Sequence, residues 1–401
     1  MRQNFKSSDQ FYYNANNLPE QIERFWKTGF MKKGFKKNIG LLHLWLGLGS
    51  GLIVFIAALT GSILVFEKEI DKAINPEYYN VATIGTTKKT IDYCVEILQK
   101  EHSIKKITRI YTFNDPSRTI QILGKDSDKK AQFFSIDPYT GKILAQTPQE
   151  SRFFVVVLSI HRQLLLGETG EIIMGTSCLI FAFMLISGMI LWWPKKIKNL
   201  KQRLTVKWSG SFKRVNWDFH STFGFYSFLV LFIISLTGLS FAFTWFQNGV
   251  YFLTEGNAKK PSAKVENPTK IDPKLNNTAF YQNIYNKADS IFPYTGNIQI
   301  RMPADTINSI LVLKEYSEIT IPNQSSAAYF DKYTTEQIEA RPYDKFSTGD
   351  KIRRLNYPIH TGSVYGLPTK IIAFIVCLFA ATLPITGLII WLGRKKKGAK
   401  K

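Results

Sequence analysis

Four stretches of nearly unbroken apolar residues, 39–66, 172–193, 219–246 and 369–392, interrupt an otherwise mixed pattern of polar and hydrophobic positions. Each has the ~20 residues that a helix needs to cross a bilayer core of ~30 Å, so four transmembrane helices are predicted. Between the first and second runs the pattern changes. IDYCVEILQKEH has helical spacing, KITRIYTF, TIQIL and AQFFSID alternate or are rich in β-branched residues, and Asp-Pro-Tyr-Thr-Gly marks a turn between strands. Between the third and fourth runs come a helix around AFYQNIYNKADSIF and strands around NIQIRM, SILVLK and AAYFDK. Each long connection therefore reads as one helix on an antiparallel sheet.

The apolar runs repeat. Aligned without a gap, His43, Gly47, Phe55, Leu59, Thr60 and Gly61 fall on His220, Gly224, Phe232, Leu236, Thr237 and Gly238. Likewise His161, Gly167, Cys178, Ser187, Gly188 and Trp192 fall on His360, Gly366, Cys377, Thr386, Gly387 and Trp391. FFSIDPYTGKILA resembles YFDKYTTEQIEA in the same order, with Asp137 over Asp331. The expected fold is an α-helical integral membrane protein: two tandem units of span, outer α+β domain and span.

The formal net charge of +22 is compatible with nucleic acid, anionic lipid or basic membrane loops. The apolar runs flanked by lysines decide for the bilayer and against nucleic acid. Lysine and arginine crowd the stretch before the first run, the 195–216 loop and the tail after the fourth run, and the positive-inside bias makes these cytoplasmic. The division expected is a cytoplasmic N-terminal segment (1–37), a first span (38–67), a first outer domain with the approach to the second span (68–170), that span (171–194), a basic loop (195–216), a third span (217–246), a second outer domain with its approach (247–366), a fourth span (367–393) and a basic tail (394–401). Both termini are then cytoplasmic. Trp45, Trp192, Trp193, Trp217, Trp245 and Trp391 sit at span ends, as interfacial anchors do.

Three cysteines, two of them inside apolar runs, give no disulfide framework, and no C-x-x-C-H motif for covalent haem attachment occurs. The N-terminus lacks a signal-peptide core, and Met31 is a second candidate start.

Four of the five histidines stand at span ends in matching places of the repeat. His43 and His220 share a depth near the cytoplasmic face; His161 and His360 share one near the outer face. A single interfacial histidine is usually an amphipathic side chain with its polar edge among headgroups. Two matched pairs point instead to a shared cofactor, and haem b suits them, since its iron takes two opposed imidazoles from neighbouring helices. Zinc is the weaker candidate, because each level offers only two histidines where a closed tetrahedral site needs four ligands. Gly47 and Gly224 lie one turn beyond their histidines, where a missing side chain admits a flat macrocycle. Gly61 and Gly238 follow by five turns, ~27 Å of rise, at the level of the outer pair; small-residue helix packing is the alternative for them. Lys36, Lys37 and Arg214 inside, and Arg152, Arg162, Arg353 and Arg354 outside, are candidate partners for haem propionates. Cys178 and Cys377 read as small packing residues and His102 as structural.

A span opening H-x-x-x-G and containing T-G, an outer domain bearing D-P-x-T-G, and the duplication of both resemble the PepSY-associated transmembrane helix family over nearly everything after residue 35. That family includes bacterial inner-membrane ferrisiderophore reductases and iron-regulated membrane proteins. The resemblance implies PepSY-like domains facing the periplasm and two non-covalent haems with axial ligands at His43, His220, His161 and His360. It also implies a ferric siderophore or other ferric chelate as electron acceptor, for which Tyr281, Tyr285, Tyr294 and Arg301 are candidate contacts. Thr335 stands where the first turn has Gly141, so the second turn is expected to differ. GLGSG (47–51) lies inside a span and is no dinucleotide fingerprint, so the donor is expected to be a separate reductase or a quinol. The expected function is transmembrane electron transfer ending in ferric reduction. The rivals are a haem-free membrane adaptor and an iron-chelate permease.

Overall fold

The structure, a computed structural model, describes residues 33–194, 196–256, 265–270, 279–305, 307–316 and 321–398. The N-terminal segment before residue 33, including Met31, and the end of the basic tail lie outside the described residues. In chain order the helices are α1 (Lys33–Val65), α2 (Glu67–Ile74), α3 (Ile91–Glu101), α4 (Phe153–Gln163), α5 (Gly167–Trp192), α6 (Leu200–Arg203), α7 (Phe212–Asp218), α8 (Gly224–Ala242), α9 (Thr244–Glu255), α10 (Phe280–Ile291), α11 (Thr348–His360) and α12 (Leu367–Gly398). The strands are β1 (Lys106–Thr112), β2 (Ile120–Lys125), β3 (Ala131–Ile136), β4 (Ile143–Pro148), β5 (Gly296–Arg301), β6 (Ile310–Tyr316), β7 (Ser325–Phe330) and β8 (Gln337–Arg341).

Four helical segments are long and apolar enough to cross a membrane: α1, α5, the α7–α8 segment and α12. Their polarity is inverted relative to a water-soluble bundle. Leu52, Ile172, Leu229 and Ile375 are exposed, while Ser50, Thr60, Ser187, Thr237 and Thr386 are buried. Such hydroxyls satisfy themselves on carbonyls of the preceding turn, as Ser50 does on Leu46 (2.8 Å) and Ser227 on Phe223 (2.7 Å). The helix α1 packs on α5 and α12, and α8 packs on the same two, so α1 and α8 occupy opposite corners of a four-helix bundle. The third span departs from expectation at both ends. It begins at Phe212 and carries a π-helical turn at Phe219–Phe223 around His220. It stops at Ala242 rather than residue 246, because Phe243 turns extended (φ −128°, ψ 120°) and α9 starts afresh.

Outside the bundle, the two long connections do not form separate sheets. Their strands make one antiparallel eight-stranded sheet in the order β4-β3-β2-β1-β5-β6-β7-β8, joined where β1 pairs with β5 in a register that sets Ile110 against Ile300. The helices α3 and α10 lie on one face, and a single core of Leu98, Ile110, Ile122, Phe134, Ile284, Ile300 and Phe330 runs beneath both. The helices also cap one another. Asp92 on α3 accepts the amides of Tyr281 and Gln282 (3.0 and 2.8 Å), and the Gln282 side chain accepts the Ile91 amide (3.1 Å). Pairing β1 with β5 removes two open sheet edges.

The two Asp-anchored turns match, contrary to expectation. Asp137 and Asp331 each accept the amide two residues on (2.8 Å in both), and the amides of Gly141 and Thr335 return to the carbonyls of Asp137 and Asp331. Both residues have positive φ, +80° for Gly141 and +59° for Thr335. The hydrogen bonds of the turn hold a β-branched residue where glycine is preferred. Thr335→Gly should therefore lie within about 1 kcal/mol of the native protein, on the stabilising side. Gly141→Thr should cost about 1–3 kcal/mol, since its Cβ would sit 2.5 Å from Tyr93 Cε1. Thermal unfolding of the two variants followed by near-UV circular dichroism checks the contrast.

Candidate cofactor site

The outer histidines belong to helices that precede the spans. His161 is near the end of α4 and His360 ends α11. Left-handed residues, Leu164 and Leu165 after α4 and Gly362 and Gly366 after α11, turn the chain into α5 and α12. The bundle then anchors each ring. His161 Nδ1 lies 3.1 Å from Thr60 Oγ1 and 3.0 Å from the Ala57 carbonyl; His360 Nδ1 lies 2.9 Å from Thr237 Oγ1 and 3.1 Å from the Ile234 carbonyl. The inner rings are anchored the same way, His43 Nδ1 to Ser187 Oγ (2.8 Å) and His220 Nδ1 to Thr386 Oγ1 (2.7 Å).

These contacts fix the tautomer. Each hydroxyl has one proton, and it goes to its own helix: Ser187 to the Met184 carbonyl (3.0 Å), Thr386 to Thr382 (2.9 Å), Thr60 to Ile56 (2.6 Å) and Thr237 to Ile234 (2.8 Å). The oxygen is left to accept, so Nδ1 carries the hydrogen in all four rings and Nε2 keeps its lone pair. That is the state in which a histidine ligates a metal, with its second nitrogen held by an outer partner.

A glycine follows each hydroxyl residue and lets the ring lie against the helix. A Cβ at Gly61, Gly238, Gly188 or Gly387 would come within 3.1, 3.5, 3.5 or 3.6 Å of Cε1 of His161, His360, His43 or His220. Gly61 and Gly238 thus sit at the level expected but make room for imidazoles. Gly47 and Gly224 do line a cavity, of about 300 Å³, whose wall also includes His43 and His220. That is the size of pocket that holds a sizeable organic ligand. What sequence reasoning missed is the role of the [Ser/Thr]-Gly dipeptide that recurs in all four spans, Thr60-Gly61, Ser187-Gly188, Thr237-Gly238 and Thr386-Gly387: the hydroxyl anchors a ring and the glycine admits it.

The two pairs lie at different depths. His43 and Thr60 are separated by 17 positions on one continuous helix, about 25 Å of rise. At the outer level the rings of His161 and His360 have centroids 6.1 Å apart. That separation is what two metal–imidazole bonds of about 2 Å, with half a ring on either side, would require. Among the described residues no three His, Cys, Asp or Glu side chains converge. Two imidazoles per level suit a metal that brings its own equatorial ligands, and the residues present fit haem.

The expected propionate partners are mostly engaged elsewhere. Lys36 donates to the Trp193 carbonyl (2.8 Å), Arg214 pairs with Asp218 (2.6 Å), Arg152 with Asp71 (2.8 Å), Arg162 with Glu171 (3.5 Å) and Arg353 with Asp350 (3.8 Å). Arg354 donates to Ser325 Oγ (2.7 Å), and burial beside Arg353 pulls its pKa down to about 10. The cation that lines the inner cavity is Arg203, whose backbone carbonyl is held by Thr222 Oγ1 (3.2 Å), two residues beyond His220. Trp192, Trp217 and Trp391 also wall this cavity, and the buried Trp192 Nε1 has no acceptor among the described residues. Trp45 and Trp245 are exposed, as anchors are. Tyr281, Tyr285 and Tyr294 do not form a docking surface. All three pack on the sheet core; burial, with Asp92 nearby, pushes Tyr281 up to about 12, and Tyr294 donates to the Lys314 carbonyl (2.7 Å).

Removing an anchor should loosen its ligand. Thr386→Val leaves the His220 N–H without its hydroxyl acceptor, and loss of such a partner typically costs 10–100-fold in metal affinity. Faster transfer of one haem from the variant to a haem-scavenging apoprotein is the expected result.

A four-span helical bundle joined at one end to an α+β sheet defines an integral membrane protein. The family model for the PepSY-associated TM region matches residues 41–394, and the chain belongs to that family. No curated protein matches it.

Proposed function

We propose that this protein carries electrons across a bacterial inner membrane through two b-type haems, one at His43 and His220 and one at His161 and His360, to a ferric chelate outside. The observation that carries this reading is the common state of the four histidines, each with Nδ1–H committed to an anchored hydroxyl and Nε2 bare, paired at two levels of one bundle. Haem held between such imidazoles supplies a one-electron ferric/ferrous couple. The chain's own part is to ligate, to insulate and to orient. Arg203 offers a cation at the inner cavity to a carboxylate-bearing edge. Between the levels, Leu185, Leu231 and Ala380 pack with Phe181, Phe228 and Phe232 into an apolar plug. Such a plug admits no hydrated ion or chelate and favours electron transfer over a permease.

The basic 195–216 loop supports a cytoplasmic placement of the inner pair, with the sheet domain on the other side. The matching order of helices and strands in the two halves supports duplication of a span–domain–span unit. The donor would be a separate reductase or a quinol, and the favoured acceptor class is a ferric siderophore, whose oxygen ligands hold the ferrous ion less tightly.

A reduced-minus-oxidised spectrum of the purified protein, with haem quantified as the pyridine haemochrome, tests the proposal. Two haems per chain with split α bands is the expected result; a colourless protein would leave the adaptor reading in its place.

A further inference from the structure

The helix-free face of the sheet carries a charge arrangement that nothing above uses. Side chains alternate along a strand, and Ile110 and Ile300 point into the core, so Arg109 and Arg301 point to the other face. The two arginines are direct partners across the β1–β5 joint. Following the registers outward gives one continuous row: Phe133, Leu123, Arg109, Arg301, Leu311, Tyr329. Continued to the edge strands the row takes in Thr147 and Glu339, and Glu339 is paired with Arg341, so the two cations at its centre stand side by side without a carboxylate of their own. Arg109 donates to the Tyr111 hydroxyl (3.0 Å) and Arg301 to Gln299 Oε1 (2.6 Å), both neutral acceptors, and neither arginine has an acidic partner among the described residues. Burial, and then Arg109 itself, hold the Arg301 pKa below its usual value. Like charges directly opposite on a sheet cost stability. At the seam that joins the two halves, that cost calls for an anion.

This face looks toward the membrane bundle. At one end of the row Arg152 covers Phe133 (4.2 Å to the ring centre) while bound to Asp71 on α2, the helix that continues from α1. Beyond the other end, Arg354 of α11 donates to Ser325, which points to the same face as Tyr329. The antiparallel joint between β1 and β5 and the facing pair His161 and His360 both bring equivalent elements of the two halves together.

We propose that Arg109 and Arg301 form a binding site for a small soluble oxyanion, the carboxylate groups of an anionic metal chelate, held between the sheet and the outer end of the bundle. The two guanidinium forks supply paired donors that match carboxylate geometry, with Tyr111 and Gln299 as neutral neighbours and the leucines excluding water from the flanks. The site names the acceptor class for the electron-transfer reading and rests on that reading only for its purpose, not for its existence. Of the contacts first expected for the acceptor, Arg301 remains and Arg109 joins it.

The test is equilibrium binding of gallium(III) citrate, an anionic and redox-inert chelate, to the full-length protein in a zwitterionic detergent. A neutral gallium trihydroxamate serves as the comparison. The native protein should prefer the citrate complex, and the double variant R109Q/R301Q should bind it at least about tenfold more weakly with no change toward the neutral complex. The R109K/R301K variant should fall between, since lysine keeps the charge but not the fork. Removal of the like-charge pair should leave the melting temperature unchanged or raised, which separates lost binding from lost folding. Equal binding by native protein and R109Q/R301Q, or equal loss for both complexes, overturns the site. Haem-free protein that still shows the arginine-dependent binding would sink the electron-transfer reading while leaving the anion site in place.

Discussion

Replacing His43 or His220 with Ala should lower the haem content from two per chain to one, with the outer haem retained; replacing His161 or His360 should remove the outer haem and spare the inner. The partners of each pair come from different halves of the chain, far apart in sequence, yet should give the same phenotype. The expectation rests on geometry. His43 and His220 wall one cavity, His161 and His360 have ring centres 6.1 Å apart, and about 25 Å of helix separates the levels. A haem held by both imidazoles of a level would lose one of its two protein ligands in each variant. Redox titration of each variant identifies the surviving centre by its midpoint potential. Unchanged stoichiometry in all four variants would sink the ligand assignment.

Ile110→Asp should be the most damaging single change in the sheet domain. Ile110 is fully buried, opposite Ile300 at the strand pairing that joins the two four-stranded halves, in the core beneath α3 and α10. Arg109 and Arg301 point to the other side, and Lys314 on the core face is already held by Asp289 (2.6 Å) and the Phe292 carbonyl (2.7 Å), so a carboxylate there gains no ready partner. An unpaired buried charge costs about 3–5 kcal/mol. Because one core serves both halves, amide protection should fall in strands β1–β3 and β5–β7 together, while the spans keep theirs. Hydrogen exchange followed by mass spectrometry reads this directly. Loss confined to the first half would mean that the halves fold separately.

Much of the bundle was legible in the sequence because its solvent is uniform. A helix in lipid must be apolar over its whole length, so composition alone placed all four spans to within a few residues at most ends. The third span's outer end was not legible, since Phe243 to Phe246 are as apolar as the residues before them and the break is a backbone choice. The pairing of histidines by depth was legible from the repeat. Their anchoring was not, because it depends on which hydroxyl of a neighbouring helix each ring reaches.

The outer domains show the same division. Alternation marked most of the strands and the two helices correctly, but each segment reports only its own faces, and so one domain per connection was expected. Whether β1 meets β5 is settled by which exposed edge lies nearby once the spans have packed, and local pattern carries no record of that. The Arg109–Arg301 pair is the sharpest instance, two residues from different halves that become neighbours only through that joint.

By itself, then, the sequence marked four runs long and apolar enough to cross a membrane, matching residues in its two halves, and four histidines at the ends of those runs, all of which follow from hydropathy and spacing along a single strand of information. Tertiary structure alone decided that the halves share one sheet, that each imidazole is anchored through Nδ1 to a hydroxyl of another helix, and that two arginines meet without an acidic partner among the described residues. Those outcomes arise from contacts between residues remote in the chain, where packing and hydrogen-bond satisfaction, rather than local preference, set the lowest free energy.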